Sequence, residues 1–174
     1  RAFTEKFGGP EKLKGFTLAS IQHLFGSTRG LYDALAEQGL DRALLQVGGK
    51  GYSTIMDGMM GRAAAGFDVH PSGAPAAHAD RSAEEVTSAM AKQQLARLFK
   101  GVKPGGPQRF LLLDEGGKLI SALHRHFPQY AQMCVCVEQT DRGIQIIEDA
   151  QKTAQKERAF FEKHGRWPEP RTGF

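Results

Sequence analysis

The chain has 174 residues, of which 40% are hydrophobic and 24% charged, and a net charge of +4. That is the size and composition of one globular domain able to bury a core, which excludes a disordered or fibrous chain. No apolar run approaches the roughly 18 residues of a membrane span, and the first residues lack the order of a secretion signal. A cytoplasmic protein with no membrane partner is therefore expected. The bases at Lys12, Lys14 and in the stretches 97–103 and 152–171 have no aromatic interleaving, so nucleic acid is not an expected partner.

Residues 15–23 are short and alternate Phe16, Leu18 and Ser20 with Thr17, Ala19 and Ile21, the pattern of a mostly buried strand ending at His23. Leu31, Leu35, Ala34 and Ala36 then give a helical stripe, closed by Gly39. Residues 42–47 read as a second strand and 48–51 as a glycine-rich turn, after which Ser53 or Thr54 suits a helix N-cap. Met56, Met59, Met60 and residues 63–65 form the next helix, and 67–70 a short strand. Residues 71–80 are a Pro, Ala, Ser and Gly loop.

Ser82 and Glu85 have the spacing of a capping box, and the helix they open runs to about Lys100. Beyond the loop 101–107 come a strand over 110–113, a helix over 118–126, a strand over 133–137 and a long helix over 141–163. Cys134 and Cys136 alternate on that last strand and read as buried thiols, since no further Cys or His pair completes a metal site. There is no internal repeat. Strands alternating with helices predict an α/β fold: a single domain with a doubly wound, mostly parallel sheet, Rossmann-like or flavodoxin-like in three layers.

A parallel sheet brings four clusters to one edge: His23; Ser53 and Thr54; Asp114 and Glu115; and Glu138, Gln139 and Thr140. Ligands of open α/β sheets bind beyond the carboxyl ends of the strands. Asp114-Glu115-Gly116-Gly117 sets two carboxylates on a turn whose glycines permit positive φ. A carboxylate there can accept hydrogen bonds from a ribose diol or act as a base, and equally can cap the next helix. Glu138 precedes Thr140, itself a candidate N-cap, and His23 is a candidate proton carrier. The glycines at 48–51 have neither P-loop nor Gly-x-Gly-x-x-Gly spacing.

In order and spacing these clusters resemble the substrate domain of the adenosylhomocysteinase (S-adenosylhomocysteine hydrolase) family from about Lys14 to Gly143. The family's strand-end histidine falls on His23 and its Ser-Thr-Gln-Asp stretch on Ser53-Thr54-Ile55-Met56. Its Asp-Asp-Gly-Gly-Asp turn falls on residues 114–118, and its Glu-Glu-Thr-Thr-Thr-Gly on residues 138–143. The resemblance implies catalytic roles for His23, Asp114, Glu115 and Glu138, and substrate contacts for Ser53, Thr54, Gln139 and Thr140. It also implies a small nucleoside-type ligand and NAD, the latter held by a cofactor domain outside this chain to which 164–174 would lead.

Gln139 stands where the family has a second glutamate and cannot serve as a base. Asp141 and Arg142 replace two threonines, and the family's catalytic lysine and aspartate lie past the end of this chain. The chain alone is not expected to run the hydrolase cycle. A non-catalytic assembly module, a homo-oligomer included, is the alternative. A carboxylate pair of Glu115 and Glu138 acting in hydrolysis comes third.

Overall fold

A computed structural model describes residues 12–23, 26–40, 45–49, 68–71 and 82–165. Its strands are β1 (Phe16–Gln22), β2 (Leu45–Gly49), β3 (Asp68–Pro71), β4 (Arg109–Asp114) and β5 (Cys134–Glu138). Its helices are α1 (Gly26–Glu37), α2 (Ala83–Leu98), α3 (Lys118–His126) and α4 (Asp141–His164). The sheet order is β3-β2-β1-β4-β5 and every neighbouring pair is parallel. This is the expected doubly wound α/β fold, with the Rossmann rather than the flavodoxin strand order. No described helix is long and apolar enough to cross a membrane.

The sheet is covered on both faces because its central strands are apolar on both. Leu18, Leu111 and Leu113 pack with Tyr32 of α1 and with Leu40 on one side. Ala19, Ile21, Phe110 and Leu112 pack on the other with Leu95 of α2 and with Leu119 and Leu123 of α3. Full burial of a leucine such as Leu112 contributes about 1.5–3 kcal/mol. Phe99, just past α2, extends this second core by stacking on Tyr130 at 4.2 Å and meeting the edge of Phe110 at 5.2 Å.

The expected helix signals hold where they fall on described residues. Ser82 accepts from the Glu85 amide while the Glu85 carboxylate accepts from the Ser82 amide, completing the capping box. Gly39 ends α1 at a φ of 87°. Two details add to the sequence reading and two correct it. The α1 helix starts at Gly26, ahead of its apolar stripe, and a 3-10 segment, Pro128–Met133, precedes β5. Gly48 and Gly49 belong to β2 rather than to a turn, because β2 is paired on both sides and ladder bonds continue through them. The thiols expected to be buried are not: β5 is an edge strand, so Cys134 is half-buried and Cys136 exposed. The helix expected over 56–65 and the body of the loop expected over 71–80 lie outside the described residues.

Candidate functional site

The strand order makes β1 and β4 the pair from which the chain departs in opposite directions, which is the switch point of a doubly wound sheet. His23 follows β1 directly and Glu115 follows β4, so the sheet brings together two residues 92 positions apart. One Glu115 oxygen accepts the His23 backbone N–H at 2.9 Å. The other lies 3.3 Å from the His23 Nε2, with the two side chains 15% and 21% exposed. Thr28, in the first turn of α1, donates to the His23 carbonyl at 2.6 Å. The histidine is thus fixed at its amide, its carbonyl and its ring.

A carboxylate facing Nε2 favours the tautomer with the proton on that nitrogen, which leaves the basic lone pair on Nδ1. The carboxylate also stabilises the imidazolium once the ring is protonated. This pair therefore has the groups for moving a proton, and Glu115 the chemistry for accepting from a polyol.

Asp114 is placed differently. It lies in register with Ile21 and Glu138 and has no solvent exposure. Its Oδ2 accepts the Ile120 N–H at 2.9 Å, so it caps α3 from inside the protein, while its buried Oδ1 has no hydrogen-bond partner among the described residues. Burial raises its pKa from 3.8 to about 7; the Ile120 N–H opposes the shift and the nearby Glu138 charge adds to it. Asp114 is enclosed within the protein rather than exposed at the strand ends.

Glu138 turns to backbone. Its Oε1 accepts from the Gly116 N–H at 2.9 Å, the Thr140 N–H at 2.8 Å and the Thr140 hydroxyl at 2.7 Å, and its Oε2 from the Gly117 N–H at 2.9 Å. The Thr140 hydroxyl also accepts from the Gly143 N–H at 3.0 Å, capping α4 and using its donor and an acceptor site at once. Gln139 is exposed, and its N–H reaches the Asp114 carbonyl at 3.3 Å. Ser53 and Thr54 lie outside the described residues.

The structure thus brings His23 and Glu115 together and sets Asp114, Glu138 and Thr140 to holding the turns around them. Sequence reasoning missed Thr28; a hydroxyl five residues past a strand-end histidine was its one signal. Gln94, also missed, is buried on α2 and donates to the Ser20 carbonyl of β1 at 3.2 Å. Among the described residues no group of three or more His, Cys, Asp or Glu side chains is arranged to hold a metal ion. A groove of about 430 Å³ runs over the outer face of α3 between α2 and α4, floored by Ser121 and Ala122. The Lys118–Glu84 ion pair stands at its rim, on the helical surface and apart from the His23–Glu115 pair.

No protein-family model, curated protein or solved structure matches this chain.

Proposed function

We propose that this chain is a nucleoside-binding α/β domain of the adenosylhomocysteinase type, taking a ribose-bearing ligand at the switch point of its sheet. The single observation that carries the proposal is the joining of His23 to Glu115 across β1 and β4, where open α/β sheets bind their ligands. In this role Glu115 accepts hydrogen bonds from sugar hydroxyls and His23 handles a proton. Asp114 and Glu138 keep the turn in place. Exposed Gln139 offers an amide to the ligand where the family has a carboxylate, which removes one base from the site.

The described part of the β1–α1 segment offers no dinucleotide fingerprint for NAD. The β1–α1 connection has one glycine, Gly26, between His23 and Thr28, and the buried Thr28 hydroxyl is turned back onto His23. Among the described residues nothing lies within 4 Å of where a Cβ on Gly30 would go, unlike the close-packing glycine of a dinucleotide fold. NAD in this proposal belongs to a separate domain outside the chain.

Isothermal titration with adenosine and with S-adenosylhomocysteine tests the proposal. Binding is expected, and Glu115→Gln should weaken it about tenfold or more, the worth of a charge-assisted hydrogen bond. Absence of heat at millimolar ligand refutes it. One observation favours a second role, assembly: on the edge strand β5, Val135 and Val137 are 50% and 43% exposed. Light scattering on the same samples separates the two roles. A change of mass in Val137→Lys without any ligand response supports an interface, and ligand response at constant mass supports the site.

A further inference from the structure

We infer that Glu138 is the positioning residue of the strand-end site: it ties the turn carrying Glu115 to β5 and thereby sets the reach of Glu115 to His23. The inference rests on the assignment of His23 and Glu115 as the site. It changes the role of an acid that the resemblance marks as catalytic.

Three observations carry it. First, the Glu138 carboxylate receives four hydrogen bonds of 2.7–2.9 Å from two different connections, Gly116 and Gly117 between β4 and α3, and Thr140 between β5 and α4. A carboxylate so filled is an anchor, because charge-assisted bonds to backbone N–H groups are the strong ones. Second, the anchored residues follow Glu115 directly. Gly116 and Gly117 have φ of 95° and 72°, so the turn departs from β4 in a conformation that side chains resist and that external hydrogen bonds must define.

Third, the packing around the anchor has no slack. A Cβ on Gly117 would lie 2.6 Å from the Gly143 carbonyl oxygen, and a Cβ on Gly143 would overlap the Glu138 carboxylate itself. The N-terminal turns of α3 and α4 are therefore closed on one another with Glu138 between them. Glu115 leaves this fixed turn to cross to β1, and its two oxygens meet the His23 N–H and ring.

Glu138→Gln keeps the shape and sets an amide nitrogen against at least one of the four donors, the Gly117 N–H being the least costly. The test reads the His23 ring 15N signals, which report its tautomer and hydrogen bonding, in the parent, Glu138→Gln, Glu115→Gln and the double variant. Glu138→Gln is expected to move the His23 signals toward those of Glu115→Gln, and the double variant to match Glu115→Gln alone. Gly143→Ala, whose methyl displaces the carboxylate, should shift them the same way. A Glu138→Gln protein that loses thermal stability but keeps parental His23 signals overturns the inference, since a merely structural acid does that.

Should neither variant fold, hydrogen exchange in the parent decides. The Gly116, Gly117 and Thr140 amides should be protected and open together, and free exchange at Gly116 and Gly117 overturns the proposal. No ligand enters these measurements, so their failure is distinct from a failure of nucleoside binding.

Discussion

Replacing Asp114 by asparagine isolates the cost of burying an acid under the crevice. Asp114 has no solvent exposure, and its pKa rises from 3.8 to about 7 chiefly through burial. The folded chain therefore binds this proton more tightly than the unfolded chain does. Below both pKa values the group contributes no pH dependence. As pH rises from about 4 to about 7, unfolding releases the proton and stability falls; above about 7 both states are ionised and the slope vanishes. Integrating between pH 5 and pH 8 gives a loss of about 2.5 kcal/mol from this one group, at about 1.4 kcal/mol per unit. Asparagine does not titrate, and its amide oxygen can still accept the Ile120 N–H. Urea unfolding of parent and variant at both pH values is the assay, with other titrating groups cancelling in the comparison. The parent should lose about 2.5 kcal/mol more than Asp114→Asn over that interval. Equal pH dependence in the two proteins refutes an acid held protonated by burial.

Gly117→Ala and Gly105→Ala separate backbone strain from crowding, since the φ values are 72° and 77° but Gly105 has open space where a Cβ would go. Gly105→Ala should cost about 1–2 kcal/mol in urea unfolding, and Gly117→Ala clearly more because its methyl meets the Gly143 carbonyl; equal losses would show that the α3–α4 closure is loose. The two thiols should differ in reactivity, because Cys136 is exposed while Cys134 is half-buried and its sulfur donates to the Tyr130 carbonyl. Alkylation at pH 8 followed by peptide mapping should label exposed Cys136 before Cys134; matched rates would contradict the greater cover of Cys134.

The fold was legible where local chemistry and hydrophobic period agreed. Residues 110–113 form an apolar run with glycines and prolines before it and glycines after it, and they make up the middle of β4; Ser82 and Glu85 form the capping box that their spacing predicts. Gly48 and Gly49 were misleading because their role is set by partners: two flanking strands extend β2 through residues that favour a turn. Burial on β5 was misleading for the same reason. Alternating Cys and Val reads as a core strand, yet exposure depends on whether a further strand or helix covers that edge. The 3-10 segment left a clue in Pro128, which sits at its start, but its anchoring by Phe99 and Tyr130 is a tertiary contact.

The strand-end acids show the limit most clearly. Asp114, Glu115 and Glu138 all sit where a strand turns into a helix, and periodicity gives each the same standing. Their roles part through three-dimensional proximity: Asp114 lies over the start of α3, Glu115 points across to β1, and Glu138 meets the amides that Gly116 and Gly117 present. Backbone amides closing on a carboxylate anchor it, an imidazole beside one gives it proton chemistry, and burial of one raises its pKa. In the pairing of His23 with Glu115 the two side chains keep 15% and 21% of their exposure, whereas Asp114 keeps none. In the proposed function a ligand entering from the strand ends would meet that pair, while Asp114 lies buried below it.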